Sequence, residues 1–284
     1  VRRVTRVILP NKRLFVPKKP AVLRIWDEEL VEYTEGGGGI ISAASGGPQS
    51  LVLNAASSQR LTLTSSGTAT NYQAFTISFW FKRSSDAATY VTMVDGGNWN
   101  GTNSTASVRF NGANIIDSVE YITWNGSTAD IDMWTTTTFT DTTNWHHVCV
   151  VVSVGDATAS NRTIVYVDGI SFPGGSNGTQ CAQFTNPHFM DNGQLCAIGA
   201  ESTNDSFFDG KLAYIYVVDG QALSPSSFTT GTGVGTIHPI AYTGSFGAHG
   251  FFLNFTGGST ADQSGNSNNW TAVNSPTFSS DLPT

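Results

Sequence analysis

The sequence predicts an all-β protein carried behind an extended N-terminal arm, and three observations predict it. Charged residues make up only 12% of the 284 positions, whereas glycine alone occurs 30 times alongside abundant Ser, Thr and Asn. Thr favours strands, and Gly, Asn and Ser favour turns, so this balance describes many strands joined by many turns. No run of Ala, Leu, Glu, Lys and Arg has helical spacing. The stretch FDGKLAYIYVVDGQALS, from Phe208 to Ser224, supplies the third observation. After the Asp209-Gly210 turn signal, Leu212, Tyr214, Tyr216 and Val218 alternate with Ala213, Ile215 and Val217, and both sets are largely apolar. This pattern predicts a strand covered on both faces. Asp219-Gly220 stops it, and Ser224-Pro225 has the chemistry of a helix N-cap followed by proline at the first helical position.

The elements follow in order. Val1 to Pro20 is extended, because Pro10, Pro17 and Pro20 break any helix and bias their predecessors to β or polyproline geometry. The segment Val22 to Tyr33 fits either a short helix or an added strand. Gly36 to Gly39 then forms a hinge. This divides the chain into an anchoring arm over 1–35, a Gly/Ser-rich hinge over 36–49 and a folded body. In the body, the pairs Leu51, Leu53 and Leu61, Leu63 mark two short strands. FTISFWFKRSS places Phe75, Ile77, Phe79 and Phe81 on one face, with Trp80 opposite beside Thr76 and Ser78. Strands are also expected at Tyr90–Asp95, Ala106–Phe110, Val119–Trp124 and Met133–Thr140. NWHHVCVVVS and RTIVYVDGI form a hairpin-connected pair, and Asp168-Gly169 closes the second strand with a tight turn. QLCAIG feeds the organising strand, GFFLNF forms a late strand, and Asp262 to Trp270 is a polar loop.

The net charge of −7 conceals an asymmetry. Residues 1–35 hold 8 basic and 5 acidic side chains, or +3, which leaves −10 for the remainder. Arg2, Arg3, Arg6, Lys12, Arg13, Lys18, Lys19 and Arg24 give the arm its charge, Ile8, Leu9, Leu14, Phe15 and Val16 add apolar anchors, and Trp26 is counted with the anchoring residues. Because no basic surface continues into the body, this composition points to a protein partner and against nucleic acid. Three cysteines without a close-spaced pair argue against a disulfide framework and a zinc site. No stretch approaches the ~18 apolar residues of a membrane span, and no apolar signal core follows the basic N-terminus.

Taken in order, FTISFWFKRS, NWHHVCVVVS, TIVYVDG and FDGKLAYIYVVDGQALS resemble the concanavalin A-like, laminin G-like sandwich domains over roughly residues 50–228. The resemblance implies a jelly-roll sandwich of two antiparallel sheets over 50–230, with a C-terminal extension over 231–284 packed on it. HPIAYTGSFGAHGFFLNF, followed by DQSGNSNNWT, is similar to the extension after such sandwiches in bacteriophage virion-surface proteins. The closing SSDLPT resembles a junction in those chains, so the gene product is expected to continue. The implied function is a non-enzymatic virion structural protein, either capsid decoration or tail fibre. It would be assembled in the host cytoplasm, held at the virion surface by arm contacts with other virion proteins, and homo-oligomeric, with a trimer as the common form. The alternative is a soluble carbohydrate-binding lectin or adhesin for host surface glycan, with a glycan hydrolase behind it.

Several residues are candidates for chemistry. Trp99 with Asn98 and Asn100, and Trp124 with Asn125, pair an aromatic face for sugar-ring stacking with amides for hydroxyls. No catalytic residue, resident metal or cofactor is expected. Calcium is the one cofactor weighed, at Asp95, Asn98 and Asn100 or at Asp262, Asn266 and Asn268, against plain Asx and glycine turns. Glycoside hydrolysis needs two carboxyl groups facing one cleft, but Glu120 and Glu201 stand in no Glu-x-Asp-x-x-Glu-like cluster, and Asp130 and Asp132 have no evident acid partner. Adjacent strand residues point to opposite faces, so His146 and His147 are expected one in the core and one out, which disfavours joint metal ligation.

Overall fold

A computed structural model of the chain describes residues 46–85, 90–97, 105–173 and 178–284, together with four two-residue strands nearer the N-terminus. The chain clusters into two units, Val1–Gly47 and Pro48–Thr284. In the first, β1 (Ile8–Leu9) pairs antiparallel with β2 (Lys12–Arg13), and β3 (Leu23–Arg24) pairs with β4 (Leu30–Val31). The ambiguous Val22–Tyr33 segment thus contributes a strand pair. Arg2, Arg3, Arg6, Leu14, Phe15, Lys18, Lys19 and Trp26 lie outside the described residues.

The second unit is a sandwich of two eight-stranded sheets. Sheet I runs β15 (Gly178–Thr179), β11 (Ala129–Thr138), β10 (Ser118–Trp124), β9 (Thr105–Phe110), β8 (Val91–Asp95), β16 (Leu195–Ile198), β6 (Arg60–Thr64) and β21 (Thr271–Val273). Sheet II runs β14 (Ile170–Pro173), β13 (Thr163–Val167), β12 (His146–Ser153), β7 (Ala74–Arg83), β17 (Gly210–Asp219), β5 (Ser50–Leu53) and β22 (Thr277–Ser279), and β20 (Phe251–Leu253) also pairs with β17. Every named pairing is antiparallel, which suits sheets that present one face to a shared core. A further small pair joins β18 (Thr229–Thr230) to β19 (His238–Pro239).

Alternation fills the space between the sheets. Phe75, Ile77, Phe79 and Phe81 of β7, with Val148, Val150 and Val152 of β12, meet Ala106, Val108 and Phe110 of β9 and Val119 and Tyr121 of β10. The other face of sheet II is also dry. Tyr216, Val218, Cys149 and Val151 pack against Phe228, with Tyr242, Phe246 and Phe252 around them. Trp80 and Ala213 pack with Ile237, Trp145 and Leu282. Residues after Ser227 therefore cover the outer face of sheet II, which is why β17 is buried on both sides.

One register expectation fails inside β17. The pairing with β7 slips between Ala213 and Tyr216, and Tyr214 takes a left-handed φ of 46°. Such a bulge inserts one residue and reverses the alternation beyond it. Leu212, Ile215 and Val217 face the core between the sheets, while Tyr214 and Tyr216 face the C-terminal cover. Leu212 therefore does not share a face with Tyr214, Tyr216 and Val218.

The last strands close the sandwich. Consecutive β21 and β22 join different sheets, pairing with β6 and β5 respectively. Asp281 then accepts hydrogen bonds from Lys211 Nζ at 2.7 Å, Lys82 Nζ at 3.1 Å and Trp145 Nε1 at 3.1 Å. Burial works against this carboxylate, but those donors outweigh it and bring its pKa down to about 2.

Candidate functional site

The outer face of sheet I is polar where that of sheet II is oily. In β9, β10 and β11 the residues that alternate away from the core are Thr105, Ser107 and Arg109, then Glu120, Ile122 and Trp124, then Asp132 and Trp134. Antiparallel register aligns them in rows across the strands. Trp134, Glu120, Arg109 and Thr92 form one row, and Asp132, Ile122, Ser107 and Asp95 form the next.

A buried charge cluster occupies the centre. Arg109 Nε donates to Glu120 Oε2 at 2.5 Å, Asn111 Nδ2 donates to Glu120 Oε1 at 2.6 Å, and Arg109 lies 3.7 Å from Glu201 Oε1. The Arg109 guanidinium sits 4.1 Å from the Tyr90 ring centroid. Glu120 is 1% exposed, and burial pushes its carboxyl up to about 7 despite the pull of Arg109. Burial raises the Asp132 carboxyl too, and its Oδ1 has no hydrogen-bond partner among the described residues. Burial also raises Glu201, against Arg109. The carboxylate partners not visible within one sequence segment are therefore supplied by the fold, Asp132 for Glu120 across two strands and Glu201 through Arg109.

Asp95, at the end of β8, is fully buried. Its Oδ1 accepts from Ser107 Oγ at 2.8 Å and Thr105 Oγ1 at 2.9 Å, and its Oδ2 accepts from Ser202 N at 2.7 Å. Burial lifts its pKa to about 6 against those bonds. Trp99, Asn98 and Asn100, expected beside it as sugar or calcium contacts, lie outside the described residues. Trp124 ends β10 half-buried, and Asn125 is exposed in the turn after it. Asn125 Oδ1 accepts from the Ser127 and Thr128 amides, each at 3.0 Å, while Nδ2 donates to Asp130 Oδ1 at 2.8 Å and Thr128 Oγ1 at 3.2 Å. Its amide shapes the β10–β11 turn. Trp134, half-buried on the same face, is an aromatic that sequence reading left inside a Thr-rich strand; its alternation with Asp132 was the available signal.

The second calcium candidate is a self-satisfied loop. Asp262 accepts from the amides of Phe252, Ser264 and Asn268 and from Ser264 Oγ, and Asn266 and Asn268 donate to Gly250 O. Among the described residues, no three His, Cys, Asp or Glu side chains are grouped to hold a metal. His146 and His147 do take opposite faces, but neither reaches solvent, because the C-terminal segment covers the outer side of sheet II. His146 stacks on Phe81 and bonds Asp168 Oδ2 at 2.8 Å; His147 bonds Ser78 Oγ at 2.8 Å, and burial drives its pKa down to about 3.

Two antiparallel sheets, one face sealed and the other polar and aromatic, define a lectin-type β-sandwich. The chain belongs to the concanavalin A-like lectin/glucanases superfamily, whose laminin G-type family model matches residues 55–227. Among solved structures, a Bacteroides ovatus protein proposed to bind carbohydrate is similar at a TM-score of 0.53 and 14% identity, covering 84% of this chain and 62% of that one. Domain 4 of an extracellular arabinanase from Geobacillus stearothermophilus, in complex with arabinotriose, gives 0.47 at 19% identity, covering 62% and 73% of the two chains. A pentraxin from Limulus polyphemus gives 0.42 at 14%, covering 62% and 78%. No curated protein sequence matches the chain.

Proposed function

We propose that this chain is a carbohydrate-binding, lectin-type domain, and that the outer face of the β10–β11 hairpin contacts the sugar. One observation carries the reading: Trp124 and Trp134, both half-buried, share that face with the half-buried carboxyl of Asp132. An indole face packs on the C–H side of a sugar ring while a carboxyl group takes its hydroxyls, the few-polar-groups-on-an-apolar-wall arrangement of ligand sites. Superfamily membership and the carbohydrate assignment of the Bacteroides ovatus relative support it. Catalysis is not part of the reading. Glu120 is tied to Arg109 and Asn111 beneath the surface and is 1% exposed, whereas glycoside hydrolysis needs two carboxyl groups open to one cleft. The test is a glycan array with the full chain, followed by titration of the best ligand. Trp134→Ala should weaken binding about tenfold or more. No glycan binding by the wild type removes the reading.

A virion-surface structural role, anchored by the N-terminal arm, is a second reading. It is favoured by the +3 charge of residues 1–35 against −10 for the remainder and by the separate clustering of Val1–Gly47. None of the three similar structures described above is a virion protein. Deleting residues 1–35 should abolish incorporation into a particle and leave the sandwich folded; normal incorporation of the truncated chain defeats this reading.

A further inference from the structure

We propose that the end of the sandwich at which β7 begins and β12 ends carries a second sugar-contacting platform, built from Tyr72, Gln73, Gln183 and Phe184, that takes a neutral sugar ring. The proposal rests on the reading of the chain as a glycan binder and adds a site remote in sequence from the β10–β11 hairpin.

Three loops are stitched together there. Val154 N donates to Gln73 O at 2.9 Å, and Phe184 N donates to Val154 O at 2.9 Å. Gln183 Nε2 donates to Gly155 O at 2.7 Å. Gly155 forms the floor: a Cβ placed on it would lie 3.5 Å from both Gln73 Oε1 and Phe184 Cε1. Gln73 Nε2 in turn donates to the Tyr72 hydroxyl at 3.3 Å. One carboxamide therefore lies between two aromatic side chains.

Both rings are open to solvent, Tyr72 at 46% and Phe184 at 57%. Phe184 is also held at a φ of 65°, a region that a bulky residue occupies only under constraint. Strain of this kind, at a residue whose amide is tied to Val154 O while its ring stays open to solvent, is a pattern found at contact residues. The polar groups suit hydroxyls. Gln73 Nε2 and Gln183 Nε2 are fixed by bonds to the protein, while the Oε1 atoms of both accept no hydrogen bond from the described residues. They are oriented acceptors beside apolar faces. The charged side chains nearby are engaged within their own loop, Asp156 with the Thr158 amide and Arg162 with the carbonyls of Asp156, Ala157 and Cys181. That leaves carboxamides, a phenol and two rings, which fit an uncharged sugar better than an acidic one.

The test uses the full chain and the best neutral ligand from the array, titrated against wild type, Tyr72→Ala, Phe184→Gly and Trp134→Ala, with thermal unfolding measured on each. Phe184→Gly removes the ring and relieves the backbone together, so it should fold with a Tm equal to or above wild type yet bind about tenfold more weakly or with one fewer site. Tyr72→Ala should weaken binding in the same direction without loss of Tm. If wild type binds and both variants bind identically to it, the platform is overturned and the glycan-binding reading stands. If wild type binds no glycan, both fall.

Discussion

Arg109 shows how much of this surface is decided by single side chains. Its guanidinium faces the buried Glu120 and Glu201 and stacks on the exposed Tyr90 ring. Removing one member of such a cluster leaves the others as unpaired buried charges, so Arg109→Met should cost about 3–5 kcal/mol in urea unfolding at pH 8. The loss should shrink toward pH 5, because Glu120, already lifted to about 7 by burial, takes up a proton instead. Asp95 has a related signature. Burial lifts its folded pKa to about 6, above the ordinary aspartate value of 3.8, so its stabilising protonation is complete below about 4 and is lost as pH rises through 6. Stability should therefore fall across pH 4 to 6, by about 3 kcal/mol for this group, and Asp95→Asn should flatten that part of the profile in urea titrations. None of these associations is legible in the sequence. Glu120 and Asp132 are twelve positions apart and are aligned by the register of β10 and β11, while Glu201 reaches Arg109 because β16, just before it, pairs with β8 beside β9. Local spacing does show Trp124 and Asn125 in a hairpin turn, but not that the Asn125 amide is consumed by the turn itself.

Elements were more readable than residues. The alternation in FTISFWF places four side chains in the core and Trp80 outside it, as found, because period-two patterning reports directly on a face. It fails in β17, where the bulge at Tyr214 moves the register and no residue type announces it. β21 and β22 are too short and too polar to signal strands, since Thr271–Val273 and Thr277–Ser279 draw their stability from the edges they join. The two-residue β15 has a similar dependence. Gly178, at a φ of 118°, lets the strand approach so closely that an added Cβ would fall 1.8 Å from Asp132 O and 3.1 Å from the Trp134 ring. Gly178→Ala should detach this edge, costing about 1–3 kcal/mol, and should disturb Trp134. A blue- or red-shifted tryptophan emission with weakened glycan binding would report it; an unchanged spectrum and affinity would show that β15 contributes nothing to the face.

At the scale of the whole molecule, the matched family region stops at residue 227, but the fold does not. Phe228, Ile237, Tyr242, Phe246 and Phe252 seal sheet II, and β20, β21 and β22 complete both sheets. A chain ending after residue 227 should expose a contiguous apolar surface formed by Tyr216, Val218, Val151 and Trp80. It should bind a hydrophobic dye and aggregate, while the chain through residue 284 remains monodisperse; a soluble, cooperatively unfolding truncation would contradict this. The placement of β21 and β22 also has a consequence for biogenesis. They hold the outer edges of β6 and β5, which are made more than 200 residues earlier, so the ribosome must deliver almost the entire sandwich before its first strands find their final neighbours. Such long sequence separation favours slow maturation, and until the Asp281 clamp has emerged, the nascent chain carries two open flanks that a chaperone or a second copy can occupy.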